Sequence, residues 1–433
     1  LYTASRLELG ENDVTDVSAR LCPVAGQPLF RLADGAWRLN ARLSEARAGA
    51  TVLETAITEG AGRLTAQGGA QGLSLVARID QAVLTDQAAT VRYRPLGASG
   101  DAALDNGRWR ARLNLTRDGR PIGVTTVTHD GASGRGSAVI RAERLAFVPD
   151  GLQPADLAPA VQGLIQSPAS GVVDFQGRAD WTAQGLTSSG TLTTDGLDFR
   201  SPAGAVKRLS GTIALTGLAP LETAPDQVVR IESVDGVVPV RNVEMRFRLT
   251  PDALEIASAD LVASGGAASV EPVRVPLDPQ TTWEGALVLN AVELGPLVEA
   301  SSFGPSVDFD AKVSGRLPFS MGPQGVRFSG GSLRADGPGR LSIRREALAG
   351  VNAGGGVPAA EPNTVQDLAY QAMENLAYES LTAEVNSLPG GRLGVLLNVV
   401  GRHDPPQRQE ARVGFMDILR NRFMDQKLPL PSG

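Results

Sequence analysis

Residues 304–343 read GPSVDFDAKVSGRLPFSMGPQGVRFSGGSLRADGPGRLSI, and this stretch decides the fold. Its first nine-residue run alternates apolar and polar side chains: Val307, Phe309, Ala311 and Val313 against Asp308, Asp310, Lys312 and Ser314. A period of two places the apolar side chains on one face of a strand, whereas an amphipathic helix needs a period near 3.6. Gly and Pro then divide the remainder of the stretch into short segments, as turns do. We therefore predict antiparallel strands that are apolar on one face and polar on the other.

The same pattern recurs along the chain. Residues 108–116 alternate arginines with Trp109, Leu113 and Leu115, and Asp118-Gly119 then predicts a hairpin turn. The pattern yields about two dozen strands. Only three short segments have helical spacing: 154–166, 294–299 and 365–375. The sequence predicts a mainly β protein with a few short helices.

Composition excludes several function classes. The net charge of -6 gives no electrostatic reason to expect a nucleic-acid partner. Cys22 is the single cysteine, and His129 and His403 are the only histidines, so we expect no metal site and no cofactor. None of the familiar nucleophile or phosphate-binding motifs occurs, and we predict that the chain is not an enzyme. It also lacks an apolar run long enough to cross a bilayer as a helix.

The predicted organisation follows the strands. Residues 1–150 form the N-terminal part of the β-region, and 151–168 form a helical boundary. Residues 169–348 form the central β-region, 349–362 a flexible loop rich in Gly and Ala, and 363–433 a helix, the last strands and a tail. Because the chain opens within a polar–apolar pattern, we expect it to be part of a longer protein.

The fold depends on what covers the apolar face. One possibility is a pair of β-sandwiches, each stripe packed on a partner sheet. A second is an outer-membrane barrel, although aromatic residues make up only 4% of the chain and such barrels carry aromatic girdles. A third is an elongated, curled antiparallel β-groove, closed by a few short capping helices, whose inner face stays apolar and open to lipid. A stripe repeated on strand after strand supplies the continuous lining that this third arrangement needs.

Several segments resemble one family. They are Ser314-Gly315-Arg316-Leu317-Pro318-Phe319, the run from Gly330 to Gly339, Leu376 to Leu381, Gly390-Gly391-Arg392-Leu393, Gly401-Arg402-His403, and Gly196 to Pro239 with Leu218-Ala219-Pro220-Leu221. The segments from Ser314 onward are similar to the C-terminal region of YdbH-like proteins, and Gly196 to Pro239 is similar to the preceding region of the same family. These proteins belong with the AsmA-like and TamB-like bridge proteins of Gram-negative envelopes. The resemblance covers residues 172–401.

This resemblance implies a periplasmic groove that moves phospholipids between the inner and outer membranes. It further implies an inner-membrane anchor in an N-terminal segment absent from this chain, and a small outer-membrane lipoprotein that adds a strand at the C-terminal end. For that strand pairing we predict Ala411, Val413 and Phe415. The alternative is a structural or adhesive surface protein, a β-sandwich or β-solenoid without lipid cargo.

The residues that we predict to contact lipid are the apolar members of the clearest stripes. Each of them could equally be ordinary core packing. They are Trp109, Leu113, Leu115, Phe175, Trp181, Val243, Met245, Phe247, Leu249, Val307, Phe309, Val313, Leu393, Val395, Leu397 and Val399.

Overall fold

In the computed structural model, the structure describes residues 2–7, 14–70, 72–236, 239–278, 280–299, 307–343, 375–388 and 393–403. These residues form 27 β-strands, two short α-helices and one 3-10 turn. Every strand pair whose register is described is antiparallel. The predicted fold class, mainly β and antiparallel with few short helices, is confirmed.

The chain divides into two compact units. Unit one comprises Leu1–Gly236 and Glu244–Ala257, and unit two comprises Val237–Val243 and Ser258–Gly433. The elements of the first part of the chain are β1 Tyr2–Leu7, β2 Val14–Pro23, β3 Phe30–Ala33, β4 Ala36–Ala50, β5 Thr55–Gly69, β6 Gly72–Asp86, β7 Leu96–Asp105, β8 Arg108–Arg117, β9 Arg120–Asp130, β10 Arg135–Phe147, α1 Pro154–Leu157, the 3-10 turn Pro159–Gly163, β11 Gln166–Thr182, β12 Gly185–Ser201, β13 Gly204–Leu218, β14 Leu221–Thr223 and β15 Gln227–Asp235.

The elements of the second part follow. They are β16 Val240–Leu249, β17 Ala253–Ala263, β18 Gly266–Val270, β19 Val273–Pro276, β20 Trp283–Glu293, α2 Gly295–Glu299, β21 Val307–Asp310, β22 Lys312–Gly322, β23 Gly325–Phe328, β24 Gly331–Ala335, β25 Gly339–Ile343, β26 Leu376–Ser387 and β27 Leu393–His403.

Unit one is a meander. From β4 to β13, each strand pairs with the next strand along the chain. Tight turns join most neighbours, as at Asp118-Gly119, where both residues have positive φ. That turn connects β8 to β9 as the sequence predicts, because Asp and Gly tolerate the left-handed backbone that such a hairpin needs. The residues that pack together in this unit are therefore mostly close in sequence.

Many strands carry a β-bulge within their length. The register shifts between Leu43 and Ala46 in β4, between Thr58 and Ala61 in β5, and between Ala142 and Leu145 in β10. Arg144 and Arg208 lie at such irregularities with φ of 51° each. A bulge bends its strand and increases the local twist, so these strands bend at the bulge instead of running straight.

Two predicted elements differ from the observed ones. The strand predicted over 306–314 is divided at Ala311, whose carbonyl accepts a hydrogen bond from Leu294, and the halves β21 and β22 pair with different strands. The helix predicted over 154–166 is shorter, and β11 already begins at Gln166. Pro159 explains this, because a residue before proline avoids the helical region and Ala158 is extended. The predicted loop 349–362 and helix 365–375 lie outside the described residues, apart from Asn375.

Candidate functional site

The apolar face of unit one consists of cross-strand rows, in which residues lie directly opposite each other on successive strands. The first row is Phe30, Leu39, Ala66, Leu75, Leu104, Trp109, His129, Gly136, Trp181 and Leu186. The second is Ala41, Leu64, Ala77, Ala102, Ala111, Val127, Ala138 and Ala179. The third is Leu21, Leu43, Gly62, Ile79, Gly100, Leu113, Thr125, Ile140, Gly177, Gly190 and Leu215. We call these three rows the unit-one apolar face.

The third row alternates large and small residues. Gly62 lies between Leu43 and Ile79, and Gly100 lies between Ile79 and Leu113. A Cβ at Gly62 would collide with the carbonyl oxygen of Arg78. Glycine is therefore required at this position for backbone packing. The large residues on either side of it flank a position that has no side chain.

Most large side chains of this face keep part of their surface accessible, although Leu104 and Trp181 are buried. Ala41 is 0% exposed and Ala66 is 5% exposed. In contrast Leu43, Ile79 and Leu113 each keep part of their surface accessible. The main strand contacts in unit one are between hydrogen-bonded neighbours. These three large side chains of the apolar face therefore remain partly accessible.

The opposite face of the same strands is polar. Arg42, Arg63, Arg78, Asp101 and Arg112 form one cross-strand row there, and all five are exposed. Charges of like sign directly opposite each other destabilise a sheet unless water or a counter-charge screens them. The polar face must therefore face solvent, and the apolar face is the side that offers a continuous hydrocarbon surface.

Aromatic side chains gather where the strands end, at one edge of the unit-one apolar face. Phe30 stacks on Trp37 with ring centroids 6.2 Å apart. The indole Nε1 of Trp181 donates a hydrogen bond to Nδ1 of His129 over 3.2 Å, and both residues are buried. Trp109 lies opposite His129 on β8 and is half-buried. Three of the four tryptophans of the chain thus lie within two neighbouring rows of one face.

Unit two has a closed core instead. Phe309, Val313, Leu341, Tyr378 and Leu381 form a buried cluster together with Ala311. Leu294, just before α2, and Val298, within α2, pack against this cluster. The short helix therefore covers apolar surface within unit two.

The structure separates the predicted lipid-contact residues into groups. Trp109, Leu113, Phe175, Met245, Val307 and Val399 are half-buried. Leu115, Trp181, Val243, Phe247, Leu249, Phe309 and Val313 are buried, with exposed fractions between 0% and 8%. Val395 and Leu397 are exposed at 48% and 37%. Leu393 is the first residue of β27, and its side chain is outside the described part. Ala411, Val413 and Phe415 lie outside the described residues.

Sequence reasoning left several members of the apolar face out of the predicted site. Leu43, Ile79 and Ile140 lie in the same row as Leu113, and Leu64 lies in the second row, between the rows of Trp109 and Leu113. Their own strands show the same alternation, so the signal was present. Only the register shows that these residues lie side by side with the predicted ones.

Clusters of metal-binding side chains do not accompany this face within the described residues. Over the part of the chain that the structure describes, no group of three His, Cys, Asp or Glu side chains is arranged to hold a metal ion. The described helices include none with the length and hydropathy to cross a membrane. This face presents apolar surface, on which hydrocarbon chains can be buried away from water.

Comparison with known proteins agrees with this surface. The family model of the YdbH-like proteins, described as intermembrane phospholipid transport protein YdbH, matches residues 8–415. The match therefore extends well before residue 172, where the resemblance read from individual segments begins. No curated protein and no solved structure matches the chain. Since the model matches nearly the whole sequence, the chain belongs to the YdbH-like family of intermembrane phospholipid transport proteins.

Proposed function

We propose that the unit-one apolar face is a lipid-conducting groove, along which phospholipid acyl chains pass from strand to strand. The observation that carries this proposal is the continuity of the three rows over strands β4 to β11, in which Leu43, Leu64, Ile79, Leu113 and Ile140 stay half-buried. Membership of a phospholipid transport family supports it.

The energetics favour a continuous lining. Moving hydrocarbon out of water stabilises by about 0.8 kcal/mol per CH₂ group, so one exposed acyl chain costs well over about 10 kcal/mol. A lipid that crosses an aqueous compartment must stay shielded at each step. Neighbouring strands are about 4.8 Å apart, so a tail can move from one strand to the next without leaving apolar surface.

The setting that we propose is the periplasm of a Gram-negative bacterium, with phospholipid moving between the inner and outer membranes. The anchor would be an inner-membrane segment outside this chain. Two features support this placement: the family is one of intermembrane transport, and the polar face carries exposed charges suited to an aqueous compartment.

Lipid retention tests the groove. The protein is purified from bacterial membranes, extracted and examined by mass spectrometry for bound phospholipid. We expect stoichiometric phospholipid with the parent protein and a large loss with Leu113→Asp, because a carboxylate in the middle of the third row interrupts the hydrocarbon path. Arg110→Asp, on the polar face of the same strand, serves as the matched control and should keep its lipid.

Absence of phospholipid from the folded parent protein would contradict the groove. It would favour the structural or adhesive alternative, in which the same strands carry no cargo.

We further propose that β27 is the strand to which a small outer-membrane lipoprotein adds. In the described part of the chain, β27 pairs only with β26. Leu396 is 68% exposed and Val400 is 58% exposed, on an 11-residue strand. A long apolar strand with one unpaired edge binds another strand readily, and proteins that avoid such pairing place charges there. The predicted residues 411–415 lie outside the described part and stay a prediction.

Photo-crosslinking in cells tests the pairing. A crosslinking residue at Asn398 should capture one small lipoprotein, identified by mass spectrometry. Leu396→Lys with Val400→Lys should abolish the crosslink without lowering the melting temperature, since both side chains are exposed. Capture of the same lipoprotein by the double-lysine variant would rule out β27 as the paired strand.

A further inference from the structure

A cavity of about 970 Å³ opens on the polar side of unit one, away from the apolar rows. Strands β8, β9 and β10 form one side of it, and residues 148–152 form another. Val124 and Val139 contribute apolar floor, because they lie opposite Asn114 and Thr126 in the polar rows. Volumes of this size are typical of sites for small organic ligands.

The cavity carries an excess of positive charge. Arg112, Arg120, Arg141 and Arg144 line it, against the two carboxylates of Glu143 and Asp150. Within the described residues, none of these four guanidinium groups makes a hydrogen bond or an ion pair. Some arginines elsewhere on unit one have partners, as Arg178 does with Asp180 at 2.6 Å. The guanidinium groups of the cavity are therefore available to an anion from outside the chain.

One wall of the cavity is fixed by hydrogen bonds. The side chain of Gln153, itself buried, donates to the carbonyl of Val148 over 2.6 Å and accepts from the backbone N–H of Ala169 over 2.7 Å. Gly151 also donates its backbone N–H to Val148 over 2.9 Å. The wall is therefore held against β11 before any ligand arrives, which lowers the entropy that binding must overcome.

The bulge in β10 helps to place the charges. Arg144 has a φ of 51°, and its backbone N–H donates to Oδ1 of Asp174 over 2.7 Å. A bulge re-aims the side chains next to it, here Glu143 and Arg144, toward the same cavity. The polar edge of the cavity is thus set by the backbone rather than by flexible side chains alone.

We propose that this cavity binds an anionic amphiphile, a molecule with a phosphate-bearing head and a hydrocarbon part. Guanidinium groups recognise phosphate oxygens through paired charge-assisted hydrogen bonds. The apolar floor of Val124 and Val139, with Ile122, Leu145 and Pro149 around it, takes the hydrocarbon. The volume exceeds what a bare phosphate fills.

This site is distinct from the proposed groove, because consecutive residues of one strand serve the two faces. Arg112 lines the cavity, whereas Leu113 lies in the third row of the apolar face. A substitution at one of these positions can therefore leave the other site intact. Loss of phospholipid from the groove and loss of anionic-lipid binding in the cavity can therefore be measured separately.

Titration with water-soluble lipids tests the proposal. The purified protein is titrated by calorimetry with dihexanoyl phosphatidylglycerol, which is anionic, and with dihexanoyl phosphatidylcholine, which is zwitterionic. We expect the double variant Arg112→Gln, Arg141→Gln to lose about tenfold or more in affinity for the anionic lipid, since two charge-assisted contacts disappear. Binding of the zwitterionic lipid should be unchanged.

The matched control is Arg42→Gln with Arg63→Gln. It removes the same charge from the same polar face, but these residues do not line the cavity.

An equal loss of affinity for the anionic lipid in both double variants, or no loss in either, overturns the proposal. If inorganic phosphate bound the cavity as strongly as the anionic lipid does, the proposed contact with hydrocarbon would be refuted. Leu113→Asp should keep the anionic binding, whatever it does to the groove. All four substituted arginines are exposed, and the melting temperature verifies that each variant folds.

Discussion

Asp86 and Arg92 form the best-connected ion pair of unit one. The side chain of Asp86 is 2% exposed and lies 2.6 Å from Nη2 of Arg92. The same guanidinium donates to the backbone carbonyls of Leu53 and Glu54. Burial by itself would raise the pKa of Asp86, but the hydrogen bonds from Arg92 and Ala88 outweigh burial, and the pKa is lowered below its ordinary value of 3.8. This one pair ties the residues after β6 to the turn before β5.

Stability should therefore depend on pH through Asp86. A carboxyl group with a lowered folded pKa contributes its stabilisation in full above the ordinary value of 3.8, and loses it as the pH falls through the folded pKa. Asp86→Asn should cost about 3 kcal/mol at neutral pH. It should also flatten the fall in unfolding free energy below pH of about 4.

Denaturant unfolding at several pH values measures both effects. Asp80→Asn is the control, because Asp80 is 62% exposed in its pair with Arg78 and should change little. A steep acid dependence that persists in Asp86→Asn would disprove the assignment.

At Gly62, strands β5 and β6 leave no room for a side chain. Gly62→Ala places a Cβ against the carbonyl oxygen of Arg78, so β5 and β6 must separate. We expect a loss of about 1–3 kcal/mol in the free energy of unfolding. Gly163→Ala is the control, because a Cβ there meets no atom. Urea unfolding distinguishes them, and equal stability of the two variants would show that the sheet accommodates the methyl group.

At the scale of elements, the bulged strands satisfy a backbone N–H group in the same way. At each of three bulges, the residue with positive φ donates its backbone N–H to a side chain of the adjacent strand. The pairs are Arg144 to Asp174 at 2.7 Å, Arg208 to Asp198 at 2.8 Å and Ala291 to Ser314 at 3.0 Å. A bulge leaves its extra residue outside the ladder, and these side chains satisfy the N–H group that the ladder cannot.

Asp174→Ala should therefore loosen the bulge of β10. We expect faster hydrogen exchange at the amide of Arg144 and a loss of about 1 kcal/mol in stability, because one backbone donor loses its partner. Asp180→Ala, on the same strand, removes only an exposed ion pair with Arg178 and should leave that amide unchanged. If the exchange rate at Arg144 were the same in both variants, the carboxylate of Asp174 would have no role in holding the bulge.

For the whole molecule, the two units use one sequence pattern in different ways. In unit one several large residues of the apolar face remain partly accessible, as Leu113 does. In unit two Val313 is 0% exposed within a cluster that includes Tyr378. Both side chains come from strands with the same alternation of apolar and polar residues. The difference lies in what packs above them.

Two matched substitutions, one in each unit, test this difference in burial. Val313→Asp should destabilise unit two by more than about 4 kcal/mol, because it buries an unpaired charge. Leu113→Asp should cost much less, because its carboxylate can reach water, and the protein should remain folded. Thermal unfolding followed by circular dichroism measures both. Unfolding of Leu113→Asp at 25 °C would mean that the unit-one apolar face is a closed core.

The sequence by itself determined the strands and their two faces. The alternation around Phe309 and around Trp109 predicts which residues share a face, since the side-chain period of a strand is two. Asp118-Gly119 predicts its hairpin, because the conformation of that turn is a local property of those residues. The Gly and Pro spacings also sufficed to indicate the family.

Only the tertiary structure decided which of these faces stay open. Phe309 and Leu113 lie in equivalent patterns, yet Phe309 is covered by residues such as Leu341 and Tyr378, which are distant in sequence. The division of the strand at Ala311 likewise depends on the hydrogen bond from Leu294. Periodicity is a local property that fixes the direction of a side chain, whereas burial depends on which other segments pack against it, and that is set by long-range contacts.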